Sequence, residues 1–244
     1  MRLYGLIGYP LEHSFSKKYF DEKFSQEGLG DCRFENFPIA RVDELPQILS
    51  LYKELKGLAV TIPYKKAVLP FLHDVSFLPK GLDACNCLKI QQGKLTGYNT
   101  DVIGFEKSLQ PLLRSSHKNA LILGNGGAAQ AVKKGLENLG ISFKIVNRQL
   151  GDDVSFTYDN LQKEEIASAS IIINTTPLGM HPHIDSFPPI AYEHITAHHI
   201  LYDLVYNPAE TIFLKKGKEK GAVIKNGYEM LVLQAEENWR IWNS

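Results

Sequence analysis

The sequence predicts an α/β protein of two domains with a mainly parallel sheet. Three observations carry this. The chain has 244 residues, or about 1.6 domains at ~150 residues each. Short apolar runs alternate with stretches of helical period, as βαβ units require. One such unit holds a glycine-rich turn, Gly124-Asn125-Gly126-Gly127-Ala128-Ala129, between a strand and a helix.

In order, Leu3–Ile7 reads as a buried strand ended by Gly8 and Pro10, and Ser16–Gln26 as a helix with Tyr19, Phe20 and Phe24 on one face. Arg33–Ile39 is a second strand. Asp43–Leu55 carries Leu45, Ile48, Leu49, Tyr52 and Leu55 at helical spacing, and Gly57 ends it. Leu58–Ile62 is a third strand, and Pro63 fits the first position of a helix. After a seam at Asp101 a new unit begins. Asn119–Leu123 is a strand, and Ala128, Ala131, Val132, Gly135, Leu136 and Leu139 form one buried helix face closed by Gly140. Further strands are expected at Ile141–Val146, Ser170–Asn174, Ile200–Leu204 and Ala222–Ile224, with a last helix from Glu229 to Trp242.

Composition narrows the function. Hydrophobic residues make up 44% and charged residues 22%, which excludes a wholly disordered chain. Lys+Arg and Asp+Glu both number 27, so neither a dedicated nucleic-acid binder nor a polybasic membrane-surface protein is expected. Cys32, Cys85 and Cys87 are too few for a disulfide framework and fit a reducing cytoplasm. Gly5, Gly8 and Pro10 interrupt the first apolar stretch, so no signal peptide is expected. No run of ~18 apolar residues predicts a membrane span.

The turn at Gly124–Ala129 fits G-x-G-x-x-A. Gly124 makes the tight turn, Gly126 lets backbone approach a pyrophosphate, and Ala129 packs the helix closely on the strand. The helix N-terminus offers unpaired N–H groups to phosphates. The strand–turn–helix setting favours dinucleotide binding over a merely structural turn. Where an NAD site has Asp or Glu for the ribose hydroxyl, this chain has Asn147-Arg148. A guanidinium takes a 2′-phosphate bidentately, which points to NADP. Asp152 and Asp153 lie just beyond, oppose that preference and keep NAD open.

Ser14 and Ser16 stand between the first strand and the first helix. Serines there cap helices or, with backbone N–H groups, hold a carboxylate. Lys65 lies in the first turn after Pro63, at the positive end of a helix, and Asp101 is a candidate partner carboxylate. Such a pair moves protons near neutral pH; taken singly, a lysine is more simply a solvated surface charge.

The segments GYPLEHSFS, VTIPYK, CNC, GYNTDVIGF, GNGGAAQA, NR, NTTPLGM, YDLVYNPAET and NGYEMLVLQA occur in the order and at the spacings of the shikimate dehydrogenase family, and the chain resembles that family along nearly its whole length. The resemblance implies an α/β substrate domain of residues 1–101 plus 227–244 and a Rossmann-like NADP domain of residues 102–226. It implies reversible, NADPH-dependent reduction of 3-dehydroshikimate to shikimate in the chorismate route to aromatic amino acids. Position by position, Ser14 and Ser16 match the pair that holds the substrate carboxylate, and Tyr206 a tyrosine at the same end. Lys65 and Asp101 match the catalytic pair, and Thr61, Asn86 and Gln234 the other polar contacts to the ring. Gly124, Asn125, Gly126, Gly127, Ala128 and Ala129, with Asn147 and Arg148, match the cofactor loop and 2′-phosphate site. Thr175, Leu204 and Gly227 match positions near the nicotinamide half. Met230 is expected at the domain seam.

The chain departs from the family at Ala59, where Asn or Ser is usual, at Gln149, where Thr is usual, and at Asp152, near which a second basic residue is common. Two alternatives therefore stand beside the main reading: an NAD-dependent quinate/shikimate dehydrogenase, and a non-catalytic ligand-sensing module on the same fold, which loss of the Lys65–Asp101 pair would favour. No metal is expected. Cys85-Asn86-Cys87, His181-Pro182-His183 and His198-His199 lack the spacing of a ligand set. His13 beside Ser14 invites a hydrolase reading, but G-x-S-x-G is absent. Partners are expected to be small molecules only, the chain a monomer or homodimer, and its place the cytoplasm.

Overall fold

The computed structural model describes residues 1–12 and 14–244, so the hydrolase reading at His13 lies outside the described residues. The chain divides into two units, one of Met1–Asp101 with Gln234–Ser244 and the other of Val102–Leu233.

Among these residues the first unit holds a five-stranded mixed sheet. Its elements are β1 (Arg2–Gly8), α1 (Phe15–Gln26), β2 (Cys32–Pro38), α2 (Leu45–Leu51), β3 (Leu55–Val60), α3 (Tyr64–Ala67), β4 (Cys87–Gln91) and β5 (Lys94–Tyr98), in the order β2-β1-β3-β4-β5. β1 runs parallel to β2 and β3, whereas β4 is antiparallel to β3 and β5. Side chains alternate across a strand. Leu3 and Ile7 therefore join one core with Leu45, Leu58 and Leu88, while Tyr4 and Leu6 join another with Phe20, Phe24 and Trp242. Cover on both faces explains why β1 reads as a continuous apolar run.

The expected helix over Asp43–Leu55 is shorter. A 3₁₀ turn at Val42–Glu44 precedes α2, where Pro46 sits in the first turn. Leu55 belongs to β3, which starts earlier than expected because Gly57 does not stop a helix. It is a strand residue, and the Trp242 indole lies where its side chain would be. Pro63 caps α3 rather than opening it. The β4–β5 hairpin was not foreseen. Its two-residue turn has Gln92 at φ 51° and Gly93 at φ 76°, the left-handed pair that suits the twist of a tight hairpin.

The second unit holds a six-stranded, wholly parallel sheet among its described residues. β6 (Asn119–Leu123), β7 (Ser142–Asn147), β8 (Phe156–Thr157), β9 (Ile171–Asn174), β10 (Ile200–Asp203) and β11 (Val223–Lys225) lie in the order β11-β10-β9-β6-β7-β8. α4 (Thr100–Leu109) leads into the unit, and α5 (Gly127–Asn138), α6 (Lys163–Ser168) and α7 (Ile212–Glu219) connect strands. One face packs Ile122, Ile171 and Tyr202 against Phe105 of α4 and Val132 and Leu136 of α5. The other packs Leu121, Ile172 and Leu201 against Ile166 of α6 and Phe213 of α7. The last helix, α8 (Tyr228–Trp242), was expected to return wholly to the first unit from residue 227. The division falls instead at Gln234, because Met230 packs in the core of the second unit.

Candidate active site

In the first unit the chemistry gathers where β3 and β5 hand over to helices. Lys65, on α3, puts its Nζ 2.7 Å from Asp101 Oδ2 in the first turn of α4, with side chains 30% and 16% exposed. Both are held from behind. Cys85 N donates to Lys65 O at 2.8 Å. Asn86 Oδ1 accepts from Thr100 N at 2.6 Å, Asn86 Nδ2 donates to Thr100 Oγ1, and Thr100 Oγ1 donates to Asn238 Oδ1 at 2.7 Å. Asn86 is thus buried and fixes the start of the helix that carries Asp101. Gln234 Oε1 accepts from Asn238 Nδ2 at 3.4 Å. Thr61 follows β3, donates its N–H to Ile7 O at 3.0 Å and accepts from Tyr64 N. Ser14 is the N-cap of α1, accepting from Lys17 N at 3.4 Å, and Ser16 lies in that helix's first turn. Ala59 is buried in β3. Burial also pushes the Cys85 thiol up to about 11 and the Cys87 thiol well above the usual range, so both stay neutral beside the ion pair.

In the second unit the candidates collect at the carboxyl ends of β6, β7, β9 and β10, the edge at which parallel sheets bind ligands. Gly124 has φ +101°, and a Cβ there would meet Thr176 Cγ2 at 2.8 Å and Thr175 Oγ1 at 2.9 Å, so conformation and space both require glycine. Thr175 donates its hydroxyl to Leu123 O at 2.9 Å. Leu204 follows β10, and its carbonyl lies against Gly227 so closely that a Cβ would not fit. Asn147 pairs in register with Thr157, and Arg148 is exposed, as is Asp152. Tyr206 lies just beyond Leu204 in this unit.

A family model described as the shikimate dehydrogenase substrate binding domain matches residues 6–88. The curated shikimate dehydrogenase (NADP(+)) of Carboxydothermus hydrogenoformans is 38% identical, with 98% of this chain and 91% of that protein covered. The chain belongs to the shikimate dehydrogenase family. Among solved structures, the shikimate dehydrogenase of Aquifex aeolicus is similar at 34% identity and TM-score 0.84, covering 100% of this chain and 92% of its own. A quinate dehydrogenase of Corynebacterium glutamicum in complex with NAD is similar at 25% identity and TM-score 0.87, covering 99% and 93%.

The dinucleotide that a shikimate dehydrogenase uses can be tested against the residues present, and they fit it. Gly126 caps α5 without any side-chain hydrogen bond, leaving N–H groups of the first turn for an anion. A Cβ at Gly126 or Gly127 would meet no atom within 4 Å among the described residues, so internal packing does not demand these glycines. Asn125 Oδ1 is buried without a hydrogen-bond partner among the described residues, a state that costs about 1–3 kcal/mol unless a ligand or water satisfies it.

The sequence reading missed two features of this edge. Lys133, buried on α5, pairs with Asp153 at 3.4 Å, so one of the two acids beyond Arg148 is already engaged. The periodicity of α5 skips position 133, which is the signal that hid it. The second feature is Asp203, wholly buried at the end of β10. Its only trace in the sequence is a carboxylate closing an apolar strand.

Proposed function

We propose that this protein is an NADP-dependent shikimate dehydrogenase that reversibly reduces 3-dehydroshikimate to shikimate in the chorismate route to aromatic amino acids. The observation that carries the reading is the 2.7 Å contact between Lys65 and Asp101, two residues 36 apart that the family motifs assign to one catalytic pair. A bound NADPH supplies hydride to the C3 carbonyl. Lys65 donates a proton to the C3 oxygen and stabilises the negative charge that develops there. Asp101 aims the ammonium and favours its reprotonation from solvent. Ser14 and Ser16 hold the substrate carboxylate, with Tyr206 at that end. Thr61, Asn86 and Gln234 face the ring. These roles make the unit of Met1–Asp101 with Gln234–Ser244 the substrate domain and the unit of Val102–Leu233 the NADP domain.

The cofactor reading assigns the pyrophosphate to Gly124, Asn125, Gly126, Gly127, Ala128 and Ala129, the 2′-phosphate to Asn147 and Arg148, and the nicotinamide side to Thr175, Leu204 and Gly227. A second reading, a quinate/shikimate dehydrogenase using NAD, is favoured by Gln149, by Asp152 and by the likeness to the NAD-bound quinate dehydrogenase. A sensing module without activity is disfavoured by the intact ion pair. Crossing shikimate and quinate with NADP and NAD, and following reduced-nicotinamide absorbance, separates the three. Shikimate with NADP should turn over fastest. Quinate with NAD ahead would install the second reading, and no turnover with any pair would sink both. The same reading carries small-molecule partners only, with no nucleic acid and no membrane, a monomer or homodimer, and a cytoplasmic place. Among the described residues no helix is long and apolar enough to cross a membrane.

A further inference from the structure

Asp203 is fully buried, and no ion pair engages it among the described residues. All its partners are neutral donors. Asn174 Nδ2 and Val205 N donate to Oδ1 at 2.9 and 3.0 Å, and Thr211 Oγ1 donates to Oδ2 at 2.5 Å. Tyr192 is the titratable group that faces it, and burial holds that phenol far above its usual range. A buried carboxylate served only by neutral donors is costly, so its place in the fold asks for a reason.

The neighbours supply one. Asn174, fixed through its Nδ2, uses its Oδ1 to accept from Thr176 N at 3.0 Å and Thr176 Oγ1 at 2.6 Å. Thr176 and Thr175 are the residues that crowd the Cβ position of Gly124. Val205, fixed through its N–H, accepts from Gly227 N at 3.2 Å with its carbonyl, and Gly227 presses on Leu204 O. One carboxylate therefore sits at most three links from Gly124, Thr175, Leu204 and Gly227. These four come from separate parts of the sequence, and the cofactor reading needs all of them in place.

We propose that Asp203 is a positioning residue for the dinucleotide: its buried carboxylate ties the ends of β9 and β10 together, and NADP binds tightly only while that carboxylate is ionised. The inference rests on the cofactor reading above. Hydrogen bonds to an ionised acceptor are roughly twice as strong as neutral ones, and protonation would put an O–H among three groups that themselves donate to this carboxylate. Burial pushes this carboxyl up to about 6, so it changes state within a range the protein tolerates.

The experiment is calorimetric titration of wild type and Asp203→Asn with NADP⁺, and separately with shikimate, at roughly pH 8 and roughly pH 5. The ligand's own phosphate titrates near pH 6, so the quantity read is the ratio of variant to wild-type Kd, in which that titration cancels. The expected ratio for NADP⁺ is about tenfold at the higher pH, falling below about twofold at the lower, with shikimate Kd unchanged throughout. General destabilisation would move neither ligand's Kd selectively nor give this pH pattern. A ratio near one at both pH values overturns the proposal while leaving the cofactor reading intact. A wild type that binds no NADP⁺ overturns that reading and the proposal with it. Should Asp203→Asn fail to fold, Thr211→Val decides. It removes a donor that favours the charged form and so raises this carboxyl above its wild-type value of about 6. The ratio of its NADP⁺ Kd to that of wild type should therefore be near one at roughly pH 8 and rise toward about pH 6. A ratio that does not change between those pH values overturns the proposal.

Discussion

The two sheets present their candidate chemistry in different currencies. In the mixed sheet of the first unit it is carried by side chains: the Lys65 ammonium, the Asp101 carboxylate and the Ser14 and Ser16 hydroxyls, each at the start of a helix. In the parallel sheet of the second unit it is carried mainly by backbone, through the uncapped first turn of α5 and the glycines before it. A side-chain site is damaged by truncation, which leaves the fold alone. A backbone site is damaged by adding atoms, and at Gly126 and Gly127 the protein's own packing does not register the change.

The largest test of that contrast is Lys65→Ala. Its side chain is 30% exposed, so truncation opens no core cavity. Loss of general acid–base help should lower kcat by about 10²–10⁴, with little change in Tm. A near-normal kcat would remove Lys65 from the chemistry. Ser16→Ala comes next. A lost hydrogen bond to a charged group is worth roughly 1.5–3 kcal/mol, and because the carboxylate is remote from C3 the loss should appear in KM for shikimate more than in kcat. Ser14→Ala should do the same, with an added fall in stability because Ser14 also caps α1. Serines that only cap would leave KM alone.

The converse test is Gly126→Ala. The added methyl meets no atom within 4 Å among the described residues, so Tm should hold, while NADP⁺ Kd should rise by at least about tenfold, ~1.4 kcal/mol. Unchanged affinity would mean that no pyrophosphate approaches here. Arg148→Ala tests the one cofactor contact in this unit assigned to a charged side chain. Wild type should prefer NADP over NAD by about tenfold in kcat/KM, or ~1.4 kcal/mol, and the variant should lose most of that preference while keeping its activity with NAD. Equal losses with both cofactors would make Arg148 structural.

The sequence disclosed these two sites unequally, and for physical reasons. The loop at Gly124–Ala129 was legible because strand, turn and helix face lie within one short stretch and each imposes a local pattern. The contact of Lys65 with Asp101 was guessable as a pair, but what fixes Asp101 was not. The link from Asn86 through Thr100 to Asn238 spans 138 positions between its last two members, and no local periodicity reports it. The helix expected over Asp43–Leu55 ran too long because Tyr52 and Leu55 continue an apolar pattern for a different reason: the chain has already turned toward β3, where Leu55 is buried as a strand residue. The hairpin turn at Gln92-Gly93 was not read from the sequence, because its five-residue strands carry Lys89 and Lys94 and show no clean apolar alternation. Asp203 escaped because it lies inside the expected strand Ile200–Leu204, where no local pattern tells a buried acid from an outward-facing one.

The smallest expected effect lies at the opposite edge of the parallel sheet, and it asks whether function in this unit is confined to the carboxyl ends of its strands. His117 precedes β6 and is buried. Its Nδ1 accepts from Arg114 N at 2.9 Å, and it also bonds the backbone of His198. Burial holds its imidazole below the ordinary range, with Arg114 acting the same way and the His198 backbone opposing. The unfolded chain therefore takes up the proton more readily than the folded one. The stability that neutral His117 contributes is fully present above about pH 6.5, declines as pH drops below that value, and is lost once pH falls through the depressed folded-state value. In His117→Asn the amide oxygen still accepts from Arg114, but nothing titrates. At neutral pH the variant should melt about 2–4 °C lower, for a loss of roughly 1 kcal/mol, and the gap should narrow on acidification. NADP⁺ Kd should be the same in both proteins at every pH. A gap that widened in acid would reverse the sign assigned to His117, and a change in Kd would mean that the two edges of the sheet are coupled.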